Sequence, residues 1–188
     1  MIISSDNLCG IDEAGRGPFA GPLVVAGVIL KNDIKELNDS KKLSEKKREQ
    51  LFDIIKENSF HHIVFTNNET IDELGLTLCL KNSIEEIMDS LNSGNFLMDG
   101  NTTFGIENLK CLIKADALIK EVSAASILAK VSRDRFMCEI ASKYPQYSFE
   151  KHKGYGTKAH TEAIRKYGLS PLHRKSFRIK ALEEPTLF

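Results

Sequence analysis

The stretch from Gly10 to Pro18 constrains this chain most, because it sets two adjacent carboxylates between apolar segments. The run Gly-Ile-Asp-Glu-Ala-Gly-Arg-Gly-Pro follows an apolar lead-in and precedes the apolar segment 23–30. This pattern predicts a buried strand, a glycine-rich turn and a second strand. An unpaired carboxylate is costly to bury, so Asp12 and Glu13 need a strong compensator. Oxygen-only ligands favour a hard divalent cation such as Mg²⁺ or Mn²⁺.

Neighbouring residues on a regular strand point to opposite faces of the sheet. We therefore expect the strand to end or bulge at Asp12 and Glu13 if both side chains share one site. Gly10 and Gly15 permit such a distortion. The alternative is a surface turn with two solvated acids, and the apolar flanks weigh against it.

Two further acids follow predicted strands. Asp99 closes the short apolar segment 95–99, and Asp116 comes shortly after the segment 109–113. Sites in open α/β sheets form beyond the carboxyl ends of strands, so an acid at successive strand ends predicts a metal site. Taken alone, Asp116 could simply be the N-cap of the helix that follows it.

Periodicity and capping residues predict the remaining elements. The predicted helices cover residues 45–57 with Ser44 as N-cap, 69–91 with a break near Gly75, 116–143 and 158–167, and a further strand covers 61–66. Within the long helix, Asp134 is predicted to form a structural ion pair, with Arg133 and Arg135 beside it.

A length of 188 residues fits one domain, which we divide into a catalytic core at 1–143 and a packed helical extension at 144–188. The four cysteines are scattered and include no Cys-x-x-Cys pair, which indicates reduced thiols in a cytoplasmic protein. No membrane span and no secretory signal are predicted. We expect a monomer.

The net charge of zero hides an asymmetry. Residues 1–109 carry 10 Lys and Arg against 18 Asp and Glu, a charge of −8, whereas residues 110–180 carry 16 against 6, a charge of +10. Such a division suits a metal-dependent nuclease, in which one half holds cations and the other contacts phosphates. Two solvated faces of opposite sign would give the same count.

The motifs also resemble those of a known family, bacterial ribonuclease HII, the type 2 ribonuclease H. The resemblance begins at Gly10–Pro18 and continues in the family's order over nearly the whole chain. Its further motifs are Asp39-Ser40-Lys41-Lys42-Leu43, Met98-Asp99-Gly100, Lys114-Ala115-Asp116, Ser123-Ala124-Ala125-Ser126, Ser132-Arg133-Asp134, Lys153-Gly154-Tyr155-Gly156-Thr157 and His173-Arg174-Lys175-Ser176-Phe177.

The resemblance implies an α/β ribonuclease H-like fold: a mixed five-stranded sheet flanked by helices, with a helical C-terminal extension. It implies an endonuclease that cleaves the RNA strand of RNA/DNA hybrids. It also implies cleavage 5′ of a ribonucleotide embedded in duplex DNA, leaving 3′-hydroxyl and 5′-phosphate ends. Two Mg²⁺ or Mn²⁺ ions would act in catalysis, held by the motif residues Asp12, Glu13, Asp99 and Asp116.

The resemblance further assigns substrate-binding residues. Gly15, Arg16 and Gly17 match the motif that reads the 2′-hydroxyl, and Tyr155 matches a tyrosine that stacks on the next sugar. The candidate phosphate contacts are Lys41, Lys42, Lys153 and Arg174. The C-terminal Leu187 and Phe188 faintly resemble peptides that dock on a replication sliding clamp; a disordered or self-packed tail is the alternative.

Two other functions stay open at this point. A resolvase or integrase-type nuclease also places acids at strand ends, but it would leave the Gly-Arg-Gly turn without a purpose. A non-catalytic nucleic-acid-binding module could use the basic half, but it would not need four spaced acids.

Overall fold

A mixed five-stranded sheet forms the centre of the molecule. In this computed structural model the structure describes residues 7–37, 43–179 and 182. The strands are β1 (Leu8–Ala14), β2 (Leu23–Leu30), β3 (Ser59–Thr66), β4 (Asn95–Asp99) and β5 (Leu109–Leu112). Their order is β3-β2-β1-β4-β5, with the β1–β2 and β2–β3 pairs antiparallel and the β1–β4 and β4–β5 pairs parallel. The predicted α/β fold with a mixed five-stranded sheet is confirmed.

Helices cover both faces of this sheet. They are α1 (Glu45–Glu57), α2 (Asn68–Leu74), α3 (Leu76–Leu91), α4 (Ala115–Leu118), α5 (Lys120–Ala141), α6 (Phe149–His152) and α7 (Lys158–Tyr167). The predicted cap of α1 is confirmed, because the Ser44 side chain accepts a hydrogen bond from the Lys47 amide. The predicted break at Gly75 separates α2 from α3. None of the helices described combines the length and apolar character needed to cross a membrane.

The alternation of β1 divides its side chains between two hydrophobic cores. Cys9 and Ile11 belong to the core beneath α3, together with Met98 of β4. Ala14 belongs to the core beneath α5 and α1. The acids of β1 lie in the same alternating register, so they too are divided between the two faces.

Helix α5 packs very closely on β1, as its small residues Ser123 to Ser126 predict. A Cβ added to Gly10 would lie only 2.2 Å from the backbone carbon of Glu121, so only glycine fits there. Ser123 also donates a hydrogen bond to the Leu37 carbonyl, 2.7 Å away. This close approach brings the first turns of α5 beside the carboxylate of Asp12.

The prediction of one continuous helix from Asp116 to Lys143 is wrong. The chain forms the single turn α4, adopts an extended conformation at Ile119, and then begins α5. A straight helix could not both lie across the sheet and bring Asp116 back to the strand ends. The interpretation of Asp116 as a helix N-cap is also wrong. Lys114, with a φ of 62°, is the N-cap of α4, and Asp116 lies within that helical turn.

The residues after α5 pack around a third hydrophobic core. Met137 and Ala141 of α5 meet Phe149 of α6 and Ile164 of α7 there. The ring of Tyr147 stacks on Phe149 with 5.3 Å between centroids. The boundary between a core at 1–143 and an extension at 144–188 stays a prediction.

Candidate active site

Three aspartates from separate elements meet at the C-terminal ends of the parallel strands β1, β4 and β5. Asp12 lies in β1, Asp99 ends β4, and Asp116 lies in α4 after β5. Each offers one carboxylate oxygen, and these three atoms all lie within 4.8 Å of one another. The structure thus brings together three of the four acids that the sequence singles out.

Glu13 lies beside this cluster without belonging to it. The register of β1 against β2 is regular, with Asp12 opposite Ala26 and Glu13 opposite Val25, so the expected bulge at these acids is absent from this pairing. Asp12 therefore faces α5, as Ala14 does, and Glu13 faces the side of Ile11. The strand therefore has no bulge at these acids, but its pairing with β4 ends at Ile11, one residue before Asp12. That Glu13 shares the metal site with Asp12 stays a prediction.

Parallel pairing explains why Asp12 and Asp99 meet. The pairing of β1 with β4 ends at Ile11 opposite Met98, so Asp12 and Asp99 are each the next residue beyond it. Met98 packs in the core beneath α3, and alternation turns Asp99 to the α5 face, where Asp12 lies. One Asp99 oxygen accepts a hydrogen bond from the Ala115 amide at 2.8 Å, which fixes α4 and hence Asp116 against the site.

Burial disfavours the charged form of the carboxylates in this site. The pKa of Asp12 is raised well above its usual value, first by burial and then by the neighbouring Glu13 carboxylate. A hydrogen bond from Ser126 of α5 lowers it in part. Burial also raises the pKa of Glu13, and Arg16 opposes that shift through a contact of 3.1 Å to Oε1.

The donor set fits a hard divalent cation. Glu13 Oε2 is buried and has no hydrogen-bond partner among the described residues, although the opposite oxygen is paired. A buried carboxylate oxygen in this state, beside three clustered aspartate oxygens, matches what a bound cation would satisfy. Asp12, Asp99 and Asp116 could hold such an ion, and Glu13 has one oxygen available beside them.

The Gly15–Gly17 turn borders a cleft next to these acids. The cleft measures about 400 Å³. Glu13 lines the cleft, and so does Tyr155, which is 40% exposed. The glycines on both sides of Tyr155 predict this exposure, and it is confirmed. Three further lining residues, Arg48, Ser126 and Lys130, were not identified from the sequence as binding residues.

Positive charge surrounds the ring of Tyr155. Lys130 Nζ lies 5.7 Å from the ring centroid and Arg133 Cζ lies 5.5 Å from it. Lys130 also pairs with Asp134 at 2.8 Å, so the predicted ion pair of Asp134 exists, with Lys130 rather than a flanking arginine. Side chains four positions apart lie on the same face of a helix, whereas adjacent side chains point in different directions, which explains the difference.

The expectation that Arg174 contacts phosphate is wrong. Its side chain is fully buried, and its guanidinium donates to the main-chain carbonyls of Gly15, Arg16 and Gly21. Lys153 is half-buried, and its ammonium donates to the Glu150 carbonyl. Lys41 and Lys42 lie outside the described residues.

The fold and the site together define a class. A mixed sheet flanked by helices, with carboxylates gathered at its edge beside a basic cleft, is the arrangement of a metal-dependent ribonuclease H-like hydrolase. The family model for ribonuclease HII matches residues 9–180, and the chain belongs to that family. It is a ribonuclease H endonuclease, and the activity of this family depends on divalent metal ions.

Similar proteins agree with this assignment. The chain is 67% identical over 180 residues to the ribonuclease HII of Aliarcobacter butzleri, covering 95% of this chain and 94% of that protein. The Archaeoglobus fulgidus ribonuclease HII, solved in a complex with PCNA, matches with a TM-score of 0.79 and 27% identity, covering 89% of this chain and 92% of that one. The ribonuclease H2 of Pyrococcus horikoshii matches with a TM-score of 0.73 and 27% identity, covering 91% and 93%.

Proposed function

We propose that this protein cleaves RNA/DNA hybrids and cuts duplex DNA on the 5′ side of an embedded ribonucleotide, leaving 3′-hydroxyl and 5′-phosphate ends. The observation that supports this most is the position of the Gly15–Gly17 turn. The cleft that it borders includes Glu13 and Ser126, and Ser126 contacts Asp12 of the metal-binding cluster. A sugar held at the turn would have its phosphodiester beside the acids.

In this proposal Asp12, Asp99 and Asp116 bind the cations together, and Glu13 contributes its free oxygen Oε2. Two Mg²⁺ or Mn²⁺ ions bound there would supply activation of the attacking water and stabilisation of the leaving 3′-oxygen. The protein holds the carboxylates in a preformed arrangement: the Glu13 amide donates to Asp12 at 2.8 Å, and the Ala115 amide donates to Asp99. The site is therefore organised before substrate binds.

The turn would read the 2′-hydroxyl, which both donates and accepts hydrogen bonds. Gly15, Arg16 and Gly17 line the cleft, and among the described residues other than its chain neighbours none has an atom within 4 Å of where a Gly17 Cβ would stand. A sugar could thus approach the backbone closely. Tyr155 would stack on the following sugar from the other side of the cleft, and its exposed ring supports this role.

Phosphate binding is assigned to cations around the cleft. Arg48 and Lys130 both line it, and Lys130 supplies positive charge beside Tyr155. Lys41, Lys42 and Lys153 stay candidate phosphate contacts from the family motifs. Each single contact of this kind contributes modestly and without sequence preference, and its loss should reduce the dependence of binding on salt.

One cleavage experiment tests the proposed function. Two duplexes that differ by a single ribonucleotide would be incubated with the protein in Mg²⁺, in Mn²⁺ and in chelator. We expect one cut, 5′ of the ribonucleotide, only when a metal ion is present. Equal cleavage of the all-DNA duplex would favour a resolvase-type nuclease, and binding without cleavage at any metal concentration would favour a binding module.

We also propose that the C-terminal Leu187 and Phe188 dock on a replication sliding clamp. The Archaeoglobus fulgidus relative was solved in a complex with PCNA, which supports a clamp as partner. Both residues lie outside the described part of the chain. Clamp binding should be measured for the full chain and for a chain lacking the last four residues; equal or absent binding in both would contradict this assignment.

A further inference from the structure

Two fully buried arginines, Arg133 and Arg174, lie beneath the turn that borders the active-site cleft. We call this pair the arginine clasp. Both guanidiniums are satisfied by main-chain carbonyls, six in total between them. Five of the six carbonyls belong to the segment from Gly15 to Pro22. Hydrogen bonds from the two guanidiniums therefore fix the backbone of this segment.

Arg174 determines which way the peptides of the turn face. It donates to the Gly15 carbonyl at 2.7 Å, to the Arg16 carbonyl at 3.2 Å and to the Gly21 carbonyl at 3.0 Å. In a planar trans peptide the N–H points opposite to the C=O. Because the first two carbonyls point inward at Arg174, the amides of Arg16 and Gly17 point away from it, toward the cleft side of the turn.

Arg133 joins the same turn to the segment that carries Tyr155. It donates to Ala20 at 3.0 Å, to Pro22 at 2.9 Å and to the Lys153 carbonyl at 2.9 Å. The Phe19 amide also donates to the Gly154 carbonyl at 2.9 Å. The spacing between the turn and Tyr155 is therefore fixed by the clasp and its neighbouring backbone bonds.

Glycine at position 15 leaves room for this contact. Gly15 has a φ of +99°, and a Cβ there would lie 2.4 Å from Arg133 Nε.

A second set of contacts anchors the segment that carries Arg174. Asp72 of α2 accepts from the Lys175 and Ser176 amides at 2.8 and 2.9 Å, and Asn68 donates to the Pro171 carbonyl at 2.8 Å.

Burying the two charged side chains of the clasp opposes folding. Burial and then the nearby Arg133 lower the pKa of Arg174 to about 10, so the two like charges oppose one another. Apolar side chains of similar volume often give equal or greater stability than buried charges. What an apolar side chain cannot do is hold three carbonyls in fixed directions at once, as a planar guanidinium does.

We infer that the arginine clasp positions the groups that read the sugar: Arg174 orients the Arg16 and Gly17 amides, and Arg133 fixes their spacing from Tyr155. This rests on the proposed function, in which the turn reads the 2′-hydroxyl. Both arginines are positioning residues that act through the turn. Their loss should impair discrimination between a ribonucleotide and a deoxyribonucleotide, beyond any general loss of stability.

The test compares dissociation constants for two duplexes that differ by one ribonucleotide, measured in Ca²⁺ to suppress cleavage. The ratio of the two constants is the discrimination. Arg174→Lys keeps the charge, but its donors lie on a single nitrogen and cannot reproduce the three separate nitrogens that contact the Gly15, Arg16 and Gly21 carbonyls. We expect its discrimination to fall by about 10-fold or more. Ile164→Ala is the control, since Ile164 is buried in the C-terminal core and should keep the wild-type ratio.

Chemical rescue links a loss of discrimination to the missing guanidinium itself. Arg174→Ala should regain discrimination as methylguanidinium is added, because that cation can occupy the space of the missing guanidinium group. Wild-type discrimination in a folded Arg174→Lys variant, or a ratio in Arg174→Ala that is indifferent to methylguanidinium, would overturn the inference. A wild-type protein without discrimination would instead overturn the proposed function.

Discussion

The acidic site and the arginine clasp both remove charged side chains from water, but they differ in what those charges contact. In the clasp, main-chain carbonyls surround both guanidiniums. In the acidic site, Glu13 keeps one oxygen without a partner among the described residues, and the pKa of Asp12 is raised by burial and by Glu13. The clasp is complete within the protein, whereas the acidic site is suited to an additional ligand.

The two regions are therefore expected to respond differently to substitution. Substitutions in the acidic site should abolish cleavage while leaving the fold intact, because the carboxylates repel one another in the absence of cations. Changes in and around the clasp should alter which substrate is accepted. The expected effects below run from the largest to the smallest.

Asp99→Asn should cause the largest loss. Asparagine keeps an oxygen to accept from the Ala115 amide, so α4 should stay in place while one negative ligand is lost. We expect turnover to fall by at least about 10³-fold, beyond the roughly 10–100-fold typical of outer-shell ligands, with substrate binding largely kept. Steady-state cleavage and duplex binding would be measured together.

Asp33→Asn provides a matched control, because Asp33 is exposed and pairs only with Lys120 in the described contacts. It should leave turnover within a factor of two or so, as exposed ion pairs contribute little. Near-normal turnover in Asp99→Asn would remove Asp99 from the metal-binding set.

Gly17→Ala should separate recognition from folding. Apart from its two chain neighbours, no described residue has an atom within 4 Å of the added methyl group, so the unfolding midpoint should not change. If the sugar approaches this backbone, the methyl group displaces it, and kcat/KM on the ribonucleotide duplex should fall roughly 10- to 100-fold. Unchanged kcat/KM would show that the substrate does not approach Gly17.

Unfolding at different pH values should show opposite contributions from two regions. His160 and His173 are buried with 3.0 Å between their Nε2 atoms, and burial lowers the pKa of each to about 4. Both take up protons near pH 6.5 once unfolded, so they stabilise the fold above pH 6.5 and lose that contribution as the pH falls toward 4. The raised pKa of Asp12 acts in the opposite sense, because its contribution is lost as the pH rises.

Urea unfolding in chelator between pH 7 and pH 5 would measure both contributions. Asp12→Asn should make the loss of stability on acidification steeper, and His160→Gln should make it shallower. His62→Gln serves as a control, since His62 is partly exposed beside Glu86. The same slope in all four proteins would contradict this account.

Arg16→Ala should have the smallest effect. The Arg16 side chain is exposed and pairs with Glu13 at 3.1 Å, a contact of a type that contributes about 0–1 kcal/mol. If the turn reads the sugar through its backbone, discrimination should fall less than about 5-fold, and less than in Gly17→Ala. A larger loss in Arg16→Ala would transfer the recognition role to its side chain.

The sequence predicted the elements that depend on local patterns. The helix after Ser44 and the break at Gly75 follow from capping and glycine chemistry, and the strand-end acids follow from apolar runs. The burial of Arg174 could not be predicted in this way, because its partners at Gly15 to Gly21 lie more than 150 positions earlier. A basic cluster looks the same in sequence whether its arginine faces a phosphate or a carbonyl.

The acidic pair of β1 shows a second limit. The sequence predicted that β1 ends or bulges at Asp12 and Glu13, whereas the strand keeps a regular register against β2 through both residues and only its pairing with β4 ends before them. The cluster is completed instead by Asp99 and Asp116, whose approach depends on parallel pairing and on the short turn of α4. Pairing register and the break at Ile119 are tertiary features that hydrophobic periodicity does not encode.

Diffraction from crystals grown with Mn²⁺, recorded at a wavelength that reveals its anomalous scattering, tests the central claim most directly. The account predicts a peak at about 2.0–2.2 Å from an oxygen of each of Asp12, Asp99 and Asp116. A peak elsewhere, or none at Mn²⁺ concentrations that support cleavage, would contradict the claim that these three aspartates bind the catalytic cation together.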